Sequence, residues 1–145
     1  MRTTPHDQAG KILQAAFTLG RLLRTKMASG KPDDLHMGQL HAMIFIAHQP
    51  GITMTDLAKI LCVTSPTATS FVDRLVRMGF VTRGNDAKNR KLVRLKISPV
   101  GKRILTTKMR EKKKVASLVL SSLSAKDQAQ LLTILTKMIE GCSTI

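Results

Sequence analysis

The sequence predicts a mainly α chain with a small two-stranded β wing set between helices. Three observations predict it. Apolar residues recur at helical spacing from about Gln8 to Met27 and again in later segments. Helix-starting side chains stand at Thr53, Thr64 or Ser65, Ser98 and Ser124. Between Gly79 and Ser98 alone, the period falls from 3.6 to 2.

The first helix gathers Ile12, Leu13, Ala16, Phe17, Leu19, Leu22 and Leu23 into a broad apolar face, and Gly30-Lys31-Pro32-Asp33-Asp34 breaks it. A second helix, from about His36 to His48, turns Leu40, Met43, Ile44 and Ala47 inward and ends at Gln49-Pro50-Gly51. Thr53-Met54-Thr55-Asp56 fits a capping box, with Thr53 accepting from a free N–H and Asp56 reaching back. The short helix it opens carries Leu57, Ala58, Ile60 and Leu61 on its inner side.

After Cys62-Val63, a fourth helix starts at Thr64-Ser65-Pro66, where proline in the first turn misses no hydrogen bond. It runs to about Met78, stops at Gly79, and offers Ala68, Phe71, Val72 and Leu75 to a core. Its other side presents Pro66, Thr67, Ser70, Asp73, Arg74 and Arg77. Asp73 is spaced to pair with Arg77 one turn on, or to face a ligand.

Phe80–Arg83 and Leu92–Ile97 then read as two strands, with Val93, Leu95 and Ile97 on one face and Arg94 and Lys96 on the other. Gly84 to Lys91 is turn chemistry carrying Lys88, Arg90 and Lys91. Ser98-Pro99 opens a long helix to about Ser121, and Ser124 with Asp127 caps a last one. Leu131, Leu132, Ile134, Leu135, Met138 and Ile139 are expected to face inward there. Met43, Met54, Met78, Met109 and Met138 read as core fillers.

In that order the elements make a winged helix-turn-helix flanked by further helices. The fourth helix is the recognition helix. Ser65, Pro66, Thr67, Thr69 and Ser70 are small and polar at its N-terminal end, letting backbone approach base edges. Arg74 and Arg77 follow for phosphate or guanine. Lys88, Asn89, Arg90 and Lys91 at the wing tip suit adjacent phosphates or a narrow minor groove.

Charge agrees. Twenty-four Lys and Arg against nine Asp and Glu leave +15 on 145 residues. Thirteen cations and two acids fall between Phe80 and Lys114. Such a surplus calls for a polyanion. Four Phe, with no Trp or Tyr, leave little for stacking unpaired bases, so duplex is the expected form. The Lys112-Lys113-Lys114 run reads as a solvated helix face or as a flank of the DNA-facing surface.

The ordered motifs resemble the MarR family of transcriptional regulators over essentially the whole chain. Asp34-Leu35-His36-Met37-Gly38-Gln39-Leu40 resembles its "LTxxQ", and Pro50-Gly51-Ile52-Thr53 through Asp56-Leu57-Ala58 its "PG-(I/L)-T…(D/E)LA". Val72-Asp73-Arg74-Leu75 with Gly79-Phe80-Val81-Thr82-Arg83 is similar to "VDRL…G-(L/F)-V-x-R". Asp86-Ala87-Lys88-Asn89-Arg90-Lys91 through Ser98-Pro99-Val100-Gly101 is similar to "DPxDRR…LTxxG". Asn89, Lys91 and Ser98 depart from that pattern, and Asn89 is expected to leave the tip less internally paired and more basic.

The resemblance implies a homodimer presenting two lobes to a pseudo-palindromic operator. Wide apolar faces on the first and last two helices point the same way. It also implies a small-molecule effector that lowers operator affinity. The functional division is then 1–34 and 99–145 for dimerisation and 35–98 for DNA binding.

No nucleophile–base pair, phosphate-cradling glycine loop or paired-carboxylate motif marks an enzyme. No cofactor is expected. His36, His41 and His48 lack ligand spacing, Cys62 and Cys142 make no disulfide framework, and Cys62 reads as buried filler or a thiol switch. With no signal peptide or membrane span, the chain reads as cytoplasmic. The function read is a DNA-binding repressor. Its rivals are an architectural protein coating duplex with little sequence preference and a peripheral module on anionic lipid.

Overall fold

The structure is a computed structural model and describes residues 5–27 and 35–142. Its elements are α1 (Pro5–Met27), α2 (Met37–His48), β1 (Ile52–Thr53), α3 (Met54–Leu61), α4 (Ser65–Arg77), β2 (Val81–Asn85), β3 (Val93–Ile97), α5 (Pro99–Leu120) and α6 (Ala125–Cys142). They form two units, one spanning Gly30–Arg110 and the other joining Met1–Ser29 to Glu111–Ile145. The expected break at Gly30–Asp34 lies outside the described residues.

In the Gly30–Arg110 unit, one core holds the lobe together. Ala42, Met43 and Ile46 from α2, Leu57 from α3, and Val72 and Leu75 from α4 meet Ile52, Phe80, Val81 and Leu95. Removing a fully buried leucine such as Leu75 from a core like this costs roughly 2–5 kcal/mol. The inner face of α2 is rotated from the expected one. Ala42 and Ile46 are buried, whereas Ile44 and Ala47 are only half-buried. Apolar side chains fall on all sides of α2, so its pattern could not choose a face. Ile60, expected inside, is exposed. Phe71 is half-buried, its ring pressed so close to Gly38 that a Cβ there would come within 2.6 Å of Cζ. Met43 is in the core and Met54 and Met78 pack on it, but Met109 and Met138 are exposed.

Both helices of the helix-turn-helix end in the same hydrogen-bonded loop. After α4, the Gly79 N–H donates to Val76 O and the Phe80 N–H to Leu75 O, with Gly79 at φ +73°. After α3, the Cys62 N–H donates to Lys59 O and the Val63 N–H to Ala58 O, with Cys62 at φ +52°. This is the Schellman arrangement, which requires a left-handed residue and favours glycine. Cys62 therefore carries the backbone strain of the turn.

The sheet has three strands rather than two, in the order β1-β3-β2. Ile52 pairs with Leu95 and Thr53 with Arg94, while Val81 to Asn85 pair antiparallel with Ile97 to Val93. A two-residue strand has no period to read, so β1 was invisible in the sequence. Thr53 serves twice, as strand and as cap. Its Oγ1 accepts from the Asp56 N–H and donates to Asp56 Oδ2, so Asp56 reaches the hydroxyl rather than the backbone.

Ser98 fixes the start of α5 by accepting from the Gly101 N–H at 2.9 Å and donating to Gly79 O at 2.6 Å. A Cβ on Gly101 would overlap the Phe80 carbonyl, so only glycine fits that first turn. In the other unit, Gln128 donates to Leu120 O and Leu123 O and closes the end of α5. Ser124 and Asp127 cap α6 as expected. The apolar faces expected inward are exposed in the single chain, with Leu13 at 72%, Phe17 at 69%, and Leu132 and Ile139 each at 67%.

Candidate nucleic-acid interface

Helix α4 lies with Ala68, Val72 and Leu75 in the core, which turns its polar side outward. Thr64 caps it: Thr64 Oγ1 accepts from the Thr67 N–H and shares a 2.9 Å hydrogen bond with Thr67 Oγ1. Thr67 is thus half-buried in the cap, while Ser65, Pro66, Thr69, Ser70 and Arg77 are exposed.

An open groove of about 820 Å³ runs along this side, lined by Ser65, Pro66, Thr69, Ser70, Asp73, Val76, Arg77 and Arg83. The fold therefore brings five of the expected site residues together and adds Arg83 from β2. Arg83 Nη2 donates to Asp73 Oδ1 at 2.6 Å. The expected Asp73–Arg77 pair is replaced by this contact ten residues away, because β2 passes beside α4. Thr67 and Arg74 lie outside the groove lining.

The wing tip is organised by Asp86. Its Oδ1 accepts from the Lys88 and Asn89 N–H groups at 2.8 and 3.0 Å, and its Oδ2 from Arg94 Nε at 2.8 Å. Arg94 Nη1 in turn donates to Gly51 O, tying the tip to the loop before β1. The two N–H bonds and the Arg94 guanidinium, with Lys88 the largest contributor, hold the Asp86 carboxyl below the ordinary aspartate range. Asn89 does not leave the tip unpaired, since its Oδ1 accepts from the Lys91 N–H at 3.1 Å. An amide oxygen makes this turn as a carboxylate would. Lys88, Asn89, Arg90 and Lys91 are all exposed on the resulting rigid tip. A second open groove, of about 460 Å³, lies between Pro50-Gly51 and the wing and also touches Arg83 and Arg94.

Sequence reading missed Arg83 and Arg94. Both look like ordinary strand arginines, and their partners are set by strand register. Cys62 is exposed rather than buried. Among the described residues, no three His, Cys, Asp or Glu side chains cluster as metal ligands, and no helix is long and apolar enough to cross a membrane.

A sequence model of the MarR family matches residues 35–93, the lobe that carries both grooves. The crystal structure of the transcriptional regulator SlyA superposes with TM-score 0.77 at 28% identity, covering 92% of this chain and 94% of that one. Residues 35–93 thus match the MarR family, and the chain as a whole is similar to SlyA. It has the MarR winged-helix fold, and MarR proteins are DNA-binding transcriptional regulators rather than enzymes. Two further MarR-like folds match at lower identity. FabT of Streptococcus pneumoniae, solved in complex with DNA, gives TM-score 0.73 at 20% identity over 96% of this chain and 98% of that one. PcaV of Streptomyces coelicolor, solved with its natural ligand, gives 0.66 at 19% over 97% and 94%. The sequence matches none of the curated proteins it was compared with.

Proposed function

We propose that this protein is a MarR-family, homodimeric, sequence-specific repressor of a pseudo-palindromic operator in the cytoplasm. Ser65, Pro66, Thr67, Thr69, Ser70, Arg74 and Arg77 enter the major groove, and Lys88, Asn89, Arg90 and Lys91 hold adjacent phosphates or a narrow minor groove. The observation that carries the reading is the pairing of two surfaces on one rigid lobe. One is a recognition helix with small polar side chains along an open groove, the other an exposed cationic tip. The DNA-bound state of FabT, a relative in fold, supports it.

Exposed leucine, isoleucine and phenylalanine along α1 and α6 support the homodimer, since a solitary chain would leave them in water. Residues 1–34 and 99–145 are then the dimerisation regions and 35–98 the DNA-binding domain. Two lobes must reach grooves about 34 Å apart. A small ligand favouring another spacing lowers operator affinity without touching DNA. The ligand-bound PcaV fold supports such an effector.

Selection of bound sequences from a random duplex pool tests the reading. A two-fold symmetric consensus is the expected result. Binding with no consensus would make the protein an architectural duplex coat built on its +15 charge.

A further inference from the structure

The groove between the Pro50-Gly51 loop and the wing holds none of the residues read as DNA contacts, and it lies wholly within the Gly30–Arg110 unit. Strand register sets Thr82 opposite Lys96 and Gly84 opposite Arg94 in its lining. Residues two apart share a face of a strand, so these four positions stand together, on the side away from buried Val81 and Leu95.

Gly84 is the first sign of a ligand. Its backbone is not left-handed, and a Cβ added there would meet nothing within 4 Å. Neither the turn nor a close neighbour requires glycine, which weakens a strand and often marks where a ligand approaches. Charge is the second sign. Arg83, Arg94 and Lys96 line the groove against one carboxylate, Asp86. Asp86 is already engaged by the Lys88 and Asn89 N–H groups and by Arg94, and Arg83 is engaged by Asp73. The Lys96 ammonium is exposed and makes no hydrogen bond or ion pair with another described residue.

Arg94 decides the class of anion. Its Nε donates to Asp86 Oδ2 and its Nη1 to Gly51 O, which leaves Nη2 for a ligand. Each fork of the guanidinium has thus lost one member. A planar carboxylate, which binds best to two parallel N–H groups, is poorly served. A phosphate group accepts from donors in separate directions and suits a lysine acting as a point charge. Arg94 and Lys96 stand about 7 Å apart along β3, a gap that one tetrahedral anion held by both side chains spans. The volume, about 460 Å³, is in the range of small-ligand sites. A duplex backbone is better met by a projecting tip than by a recess between loop and hairpin.

We propose that this groove binds a small phosphate-bearing anion, seated over Gly84 between Arg94 Nη2 and Lys96 Nζ. The inference rests on the reading of the protein as a repressor released by a small ligand, and it names that ligand's chemical class. Arg94 also ties the wing tip to the Gly51 loop. An anion beside it sets negative charge near Lys88, Arg90 and Lys91 and opposes their attraction for operator phosphates. A DNA phosphate has the same chemistry, so the test separates the two sources.

Inorganic phosphate, methyl phosphate and acetate are titrated into the full-length protein at fixed pH, with chloride holding ionic strength constant. Backbone amide NMR should show saturable shifts centred on Gly84 and Lys96 for both phosphates, with acetate about tenfold weaker. Gly84→Val should abolish them by filling the seat. A β-branched residue suits a strand, so its melting temperature should hold or rise, and its operator affinity without phosphate should match wild type. Lys96→Gln should weaken phosphate binding about tenfold, and Lys96→Arg should restore it. Methyl phosphate should lower operator affinity roughly 5-fold beyond chloride in the wild type and leave Gly84→Val unmoved.

Absence of saturable shifts, or shifts centred on the Lys88–Lys91 tip, would overturn the proposal. Acetate binding as tightly as methyl phosphate would overturn the ligand class. Shifts at Gly84 and Lys96 produced by duplex alone would give the groove to the DNA backbone instead. Phosphate seated over Gly84 with operator affinity unmoved would uphold the site and sink the effector reading, so the two failures are told apart.

Discussion

Asp73 and Arg83 meet at 2.6 Å across the mouth of the recognition groove, joining α4 to the base of the wing. Their side chains are 47% and 36% exposed, so water screens the pair and its worth to stability is at most about 1 kcal/mol. Its placement matters more. It sets a carboxylate in the groove proposed to meet DNA and occupies a cation that phosphate would otherwise attract. Asp73→Asn should leave urea stability within about 1 kcal/mol of wild type. It should strengthen binding to non-operator duplex and narrow the operator preference in filter binding. A large loss of stability with unchanged DNA affinity would make the pair purely structural.

Asp86 is the keystone of the wing tip. Its carboxyl titrates below the ordinary aspartate range, so the ionised form is the one the folded wing favours. The stabilisation is therefore complete above the usual aspartate value and disappears as pH falls through the lowered one. Protection of the Lys88 and Asn89 amides, their exchange relative to the unfolded-chain rate at the same pH, should be flat near neutral pH and fall only in acid. Asp86→Ala should abolish that profile and weaken operator and non-operator binding together. Unchanged exchange in the variant would show that the turn holds without its side chain.

Two single-residue changes test the backbone of the lobe. Cys62→Gly relieves a left-handed residue, gaining about 1–2 kcal/mol of sterics against about 0.5–1 of glycine entropy. A net gain between about 0 and 1.5 kcal/mol is expected in urea melts. Gly101→Ala should instead cost about 1–3 kcal/mol, because its methyl meets the Phe80 carbonyl, which strand and helix both hold. A neutral Gly101→Ala would mean that α5 shifts freely on the lobe.

Recognition helix and wing should separate cleanly in DNA binding. Arg90→Ala with Lys91→Ala should weaken all duplexes and flatten the salt slope by about 0.9 for each phosphate no longer held. Ser70→Ala or Thr69→Ala should shift preference among operator variants by about 1–3 kcal/mol for a side chain that reads a base. Their salt slope should stay near wild type. Thr67 is expected to mix a base effect with loss of the helix cap it shares with Thr64. Wing changes that altered only base preference would reverse the assignment of the two elements.

Removal of residues 1–28 should leave aggregated or unfolded protein, since apolar faces elsewhere in the proposed dimerisation regions lose their partner. Light scattering of the truncated chain is the check. A soluble, folded monomer would contradict the proposed dimer.

The amino-acid sequence by itself determined the helices, the caps at Thr53, Ser98 and Ser124, the stop at Gly79, and the hairpin with its charged tip. These are local matters. A hydroxyl three residues before a free N–H, a glycine able to turn left-handed, and a period of 3.6 or 2 all act within a few residues. Tertiary structure decided what depends on residues distant in the chain. The third strand exists because Ile52 and Thr53 find Leu95 and Arg94, not because two residues carry a pattern. The inner face of α2 was chosen by the core, since its own residues are apolar nearly all round. Asp73 took Arg83 over Arg77, and Arg94 took both Asp86 and Gly51, because strand pairing delivered those partners. Spacing within a helix fixes which neighbours a side chain is able to reach. Packing between elements fixes which one it meets.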